Sequence, residues 1–157
     1  MTILGIDPGT ATTGFGVIKT GKKSGSFSAV DFGVITTKKT AADAERLQTL
    51  AIDLATIIKK HRPDRVGVEK LFFAANQKTA MNVAQARGVV LLLCQQHRIP
   101  ISEFTPLQVK NTLCGYGQAD KKQVQFMVKQ AFKLTAIPKP DDAADALAIA
   151  LCAGLRK

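Results

Sequence analysis

Acidic side chains are scarce in this chain. Only 12 Asp and Glu stand against 22 Lys and Arg, for a net charge of +10 and a sequence pI of about 9.8. That balance points to a polyanionic partner, with nucleic acid ahead of a generic basic surface. Cysteine is scarce too: Cys94, Cys114 and Cys152 are odd in number, far apart, and form no Cys-x-x-Cys unit. A disulfide framework and a zinc site are therefore excluded, and reduced cytosolic thiols fit. Two histidines, His61 and His97, are too few for a histidine-rich metal site, and both fall near expected helix ends, where they can cap carbonyls. The longest apolar run, Val89 to Cys94, is far too short to cross a membrane. The N-terminus enters a strand-like run with no signal peptide, so a soluble, cytoplasmic protein is expected. No repeat, low-complexity tract or linker interrupts the 157 residues, which are expected to form one domain, 1–157.

What is present reads as alternating strands and helices. Thr2 to Ile6 is an apolar strand running into the turn Asp-Pro-Gly-Thr. Thr13 to Lys19 and Phe27 to Thr36 follow, completing an antiparallel meander. Thr40 to Asp43 resembles a capping box, and Leu47, Leu50, Leu54, Ile57 and Ile58 then recur at helical spacing up to about Lys60. Arg65 to Glu69 and Ile99 to Phe104 are two more strands, separated by a helix from about Thr79 to His97. That order implies a parallel pair with a right-handed crossover. The intervening helix is apolar nearly all the way round from Ala86 to Cys94, apart from Arg87. One apolar stripe suffices to pack on a sheet, so two explanations stand, a deeply buried central helix or burial on two sides by the sheet and a second subunit, and the dimer is the preferred expectation. Thr105-Pro106 and Asp120 each open a further helix. Pro138 and Pro140 lead into the last one, from Asp142 to about Ala153.

Four of the rare acids fall at places such a fold brings together. Asp7 ends the first strand and Glu69 the fourth, and these strands are natural neighbours in a mixed sheet. Asp142 and Asp145 are three apart on the last helix, about 60° around its axis, with β-carbons roughly 5–6 Å apart. Each has an ordinary explanation: a turn, a solvated strand end, a helix cap. Jointly they form an all-oxygen donor set suited to Mg²⁺ or Mn²⁺. Shared between two ions about 3.5–4 Å apart, they would match a site for in-line phosphoryl transfer.

The segments LGIDPGTATTGFGVI, VGVEKLFFAAN, QARGV, QVKNTLCGYGQADKKQV and DDAADALAIA carry a resemblance in content, order and spacing over nearly the whole chain. It is to the RuvC family of Holliday-junction resolvases. The resemblance implies an α/β, ribonuclease-H-like fold: a five-stranded mixed sheet flanked by helices. It implies a homodimer that nicks two strands of a four-way DNA junction with Mg²⁺, for which Mn²⁺ can substitute, and a partnership with the RuvA–RuvB branch-migration complex. Asp7, Glu69, Asp142 and Asp145 match the family's metal ligands. Asp141 is an extra acid before the motif, and the spacing to Ala143-Ala144-Asp145 selects Asp142 as the ligand.

The same resemblance marks DNA contacts. Phe72 matches the aromatic at the junction opening, while ordinary core packing is the alternative for Phe72 or Phe73. Lys110 and Lys121 match phosphate-binding lysines. Lys121 and Lys122 also sit in the first turn of a helix, where cations oppose the dipole and a phosphate would relieve the conflict. Two rivals share parts of this pattern. A YqgF-type nuclease acting on RNA shares the fold. An actin-like or sugar-kinase phosphotransferase shares the first turn but needs a second domain and another Gly-rich loop.

Overall fold

The computed structural model describes residues 1–23, 25–70 and 77–156. Five strands form one sheet: β1 (Thr2–Asp7), β2 (Thr12–Thr20), β3 (Phe27–Thr36), β4 (Arg65–Glu69) and β5 (Ile101–Phe104). Their order is β3-β2-β1-β4-β5; the first three are antiparallel neighbours, whereas β1–β4 and β4–β5 are parallel. The expected meander, parallel pair and mixed sheet are all present. β5 starts two residues later than expected, at Ile101, with Ile99 buried just before it.

Strand alternation sorts side chains to two faces. Leu4, Ile6, Val17, Val66 and Val68 face α1 (Asp43–His61) and α2 (Gln77–Gln96), meeting Leu50, Leu54, Ile58, Ala86, Val90 and Cys94. Ile3 and Ile18 point the other way, towards α3 (Pro106–Cys114), α4 (Lys121–Ala131) and α5 (Asp141–Leu155).

Helix starts follow local chemistry. Thr105 Oγ1 accepts from Gln108 N at 3.2 Å, and the Gln108 side chain returns a bond to Thr105 N. Asp120 and Gln123 do the same for α4. At α1 the expected role of Thr40 is not met: Asp43 opens the helix, and Ala42 N–H donates to Glu45 Oε2 at 3.3 Å. The histidines do not cap carbonyls as expected. His61 Nε2 lies 2.8 Å from Asp31 Oδ2, tying α1 to β3, and His97 is exposed.

The seating of α5 positions the acids. Gly5 pairs with Gly16 on one side and Gly67 on the other, a glycine row across three adjacent strands. A β-carbon on Gly5 would lie 2.1 Å from the Ala146 carbonyl oxygen, and one on Gly16 would lie 2.8 Å from Leu147 N. Only glycine lets the helix backbone lie this close to the sheet. At the far end, Arg65 donates to the carbonyls of Ala153 (3.1 Å) and Arg156 (2.7 Å), fixing the C-terminal turn.

Candidate active site

Asp7 and Glu69 share the face of the glycine row, two residues beyond Gly5 and Gly67. That alternation turns both carboxylates towards α5. Gly14, the register partner of Asp7, lies directly under Asp142: its β-carbon would meet the Asp142 carbonyl oxygen at 2.0 Å and Asp142 Cβ at 3.2 Å. Asp142 and Asp145 occupy the first turns of α5, which begins at Asp141, one residue earlier than expected, without a side-chain cap. Capping therefore does not account for these aspartates.

The turn after Asp7 is held by threonines. Thr13 Oγ1 donates to the Gly9 carbonyl at 2.6 Å, and Thr10 Oγ1 donates to the Asn82 carbonyl on α2 at 2.6 Å. Thr37 Oγ1 donates to the Thr10 carbonyl and itself accepts from Arg46 Nε on α1. Sequence reading missed this network, which anchors the Asp7 turn to both helices of the opposite face. The TATTG run was its only trace.

The acids strain one another electrostatically. Burial, then the charges of Glu69, Asp145 and Asp142, push the Asp7 carboxyl up to about 8. Burial also raises Glu69, while a hydrogen bond with Asp7 pulls it back. Asp145 is raised by burial against the opposing pull of Lys121. Lys121 Nζ lies 3.3 Å from Asp145 Oδ2 and 3.5 Å from Asp141 Oδ2. The awkward cation in the first turn of α4 is thus compensated by the acids of α5. Burial works against the charge on Lys121, but Asp145 and Asp141 outweigh it and raise its pKa.

Glu69, Lys110, Lys121 and Asp145 line a cavity of about 210 Å³, whose floor includes Val109, Val124 and Ile149. Asp7, at the end of β1, and Asp142, over Gly14 of β2, are not among the residues that line it. Lys122 does not join this group. It borders a separate groove of about 650 Å³ with Tyr116, Phe126 and Met127. Phe72 and Phe73 lie outside the described residues.

As the side chains stand, no three Asp, Glu, His or Cys among the described residues form a ready-made metal-ligating group. The donor set nevertheless fits a hard cation. It is all oxygen, and its mutual repulsion is what a divalent ion relieves.

Fold and acidic edge together define a ribonuclease-H-like nuclease. The family model for the crossover junction endodeoxyribonuclease RuvC matches residues 3–153. Proteins of that description from Caldicellulosiruptor saccharolyticus and Alkaliphilus oremlandii are 49% and 51% identical, each match covering 97% of this chain and 91% and 92% of theirs. The chain belongs to the RuvC family. Among solved structures, Thermus thermophilus RuvC superposes with a TM-score of 0.89 at 34% identity, covering 97% of this chain and 92% of that one. The same protein in complex with a Holliday junction substrate gives 0.90 at the same identity and coverage. The family's nucleases are metal-dependent. Among the described residues no helix is long and apolar enough to cross a membrane.

Proposed function

We propose that this chain is a structure-selective endonuclease that resolves four-way DNA junctions by paired symmetric nicks, in recombination and repair. The observation carrying this is the meeting of Asp7, Glu69, Asp142 and Asp145 at one sheet edge beside a lysine-lined cavity, in a chain of net charge +10. The family match over residues 3–153 favours it over the RNA-acting and kinase-like alternatives.

Asp7, Glu69, Asp142 and Asp145 are the residues that would hold the cations, two Mg²⁺ per site with Mn²⁺ as a substitute. Bound there, they supply charge neutralisation at the scissile phosphodiester and activation of the attacking water. The chain's own residues do the rest. Asp7, its carboxyl pushed up by burial and its acidic neighbours, would ionise to act as a ligand there. Lys110 and Lys121, on α3 and α4, hold the phosphate over the cavity, and the apolar floor keeps bulk water from beneath it. Lys122, on the far side of α4, serves the flanking DNA. Phe72 stacks on a base at the junction opening, a contact of about 1–3 kcal/mol.

The whole chain, 1–157, acts as one nuclease domain and as a homodimer. Met81, Gln85, Gly88 and Leu92 are exposed along one side of α2, at the 4-3-4 spacing of a helix-packing seam. A twofold pair matches the approximate twofold symmetry of a four-way junction. The unpaired cysteines suit the reducing cytoplasm. The RuvA–RuvB complex is the partner implied by the family resemblance, and co-purification tests it.

The decisive substrate test compares a four-way junction, linear duplex and RNA–DNA hybrid, each with Mg²⁺ or EDTA. Symmetric nicks are expected only in the junction and only with metal. Cleavage confined to the hybrid would refute the assignment.

A further inference from the structure

Asp141 is the acid that the ligand set leaves over. It is half-buried, adjoins Asp142, and is the hub of two ion pairs: Lys139 Nζ at 3.1 Å and Lys121 Nζ at 3.5 Å. Lys121 in turn divides itself between Asp141 and Asp145, at nearly equal distances of 3.5 and 3.3 Å. Asp145 is one of the carboxylates assigned to the cations, and Asp141 is not.

The division has a consequence for cation binding. An ammonium group resting on a carboxylate neutralises it, and a divalent cation approaching the same oxygen meets repulsion. An ammonium group with a second anionic partner outside the ligand set can lean away without losing its counter-charge. We propose that Asp141 is a positioning residue for Lys121: it draws the ammonium off Asp145, and so frees that carboxylate for the cation while keeping Lys121 at the cavity for the phosphate. Lys139 pairs with Asp141 from the other side and limits how much of its charge Lys121 receives. This inference rests on the proposed role of Asp145 as a cation ligand.

Titration of the full-length protein with Mn²⁺ alone, in the absence of DNA, tests it by calorimetry or by electron paramagnetic resonance of the unbound ion. Asp145→Asn serves as the reference and is expected to weaken binding at least tenfold. Asp141→Asn is expected to weaken it about threefold to fivefold, the scale of a partly exposed ion pair. Lys121→Met is expected to tighten binding, and in that background Asp141→Asn is expected to have no further effect. An equal penalty in both backgrounds would mean that Asp141 acts as a plain nearby charge, and would overturn the proposal. So would an unchanged affinity for Asp141→Asn, or for Lys121→Met, in the otherwise native chain. If Asp145→Asn leaves Mn²⁺ binding unchanged, the assignment of the ligand set fails instead, and this inference with it.

Discussion

Two helices of this chain are almost wholly apolar in the middle, and they meet opposite fates. In α5 every residue from Ala146 to Ala153 is buried, between the glycine row of the sheet and the apolar faces of α3 and α4. In α2, Ala86, Val90 and Cys94 are buried, yet Leu92 is 58% exposed and Met81 71% exposed. The difference lies in what the chain supplies as cover. α5 carries six alanines among its 15 residues, fits close to the sheet, and has two helices laid over it. α2 carries bulkier side chains and packs on the sheet and α1 with its outer side left open. An apolar helix is thus not always covered on both sides by its own chain.

The sharpest way to break the α5 half of this comparison is Gly5→Val. Its β-carbon would overlap the Ala146 carbonyl and Ala150 N, backbone atoms that cannot swing aside. Overpacking there is expected to cost more than about 4 kcal/mol, enough to abolish cooperative unfolding in urea. On α2 the corresponding change is Leu92→Lys. It is expected to leave the circular dichroism spectrum and melting curve nearly unchanged while shifting sedimentation to the monomer, because solvent already reaches that position.

A smaller effect concerns the acids that α5 presents. Asp7 titrates at 3.8 in an open chain and near 8 here, so the folded state holds its proton more tightly. Stability in EDTA should therefore fall as pH rises from about 4 to about 8, and divalent cations should restore it increasingly at the upper end. Asp7→Asn is expected to abolish cleavage yet raise the melting temperature in EDTA at pH 8 by about 2–4 °C. The smallest effect is at Asp31, which joins β3 to α1. Its carboxyl is lowered by hydrogen bonds from Lys60, despite some burial, and from His61. The stability this provides is present above pH 3.8 and lost as pH falls through the lowered value. Asp31→Asn should cost less than about 0.5 kcal/mol at neutral pH and nothing in strong acid, since the pair is partly exposed.

The five strands and the type of every helix were legible because their periods and punctuation are local: Pro63 ends α1, Thr105-Pro106 opens α3, and Asp120 opens α4. Less legible was anything that depends on two distant segments meeting. The glycines of GIDPG, GFGV and VGVE look unrelated in sequence, yet three become one row under α5. The threonine chain from Asn82 to Arg46 links two helices through two connecting segments, and TATTG is its one trace. In sequence Lys121 stands as a cation in need of a phosphate, because its partners Asp141 and Asp145 lie on another helix. Lys122 adjoins Lys121 in sequence but faces another groove, as neighbours on a helix do when they differ by 100°. The acids themselves were legible because four of the few mark strand ends and a helix start, and the family resemblance assigned each its place.

If the exposed stripe of α2 pairs two acidic edges, cuts come in twos. A supercoiled plasmid bearing an extruded cruciform tests it most directly, since two symmetric nicks give a linear product and a single nick gives an open circle. With Mg²⁺ the native chain should yield linear DNA, and Leu92→Lys should yield none at the same protein concentration. Linear product from Leu92→Lys at the native rate would contradict the account.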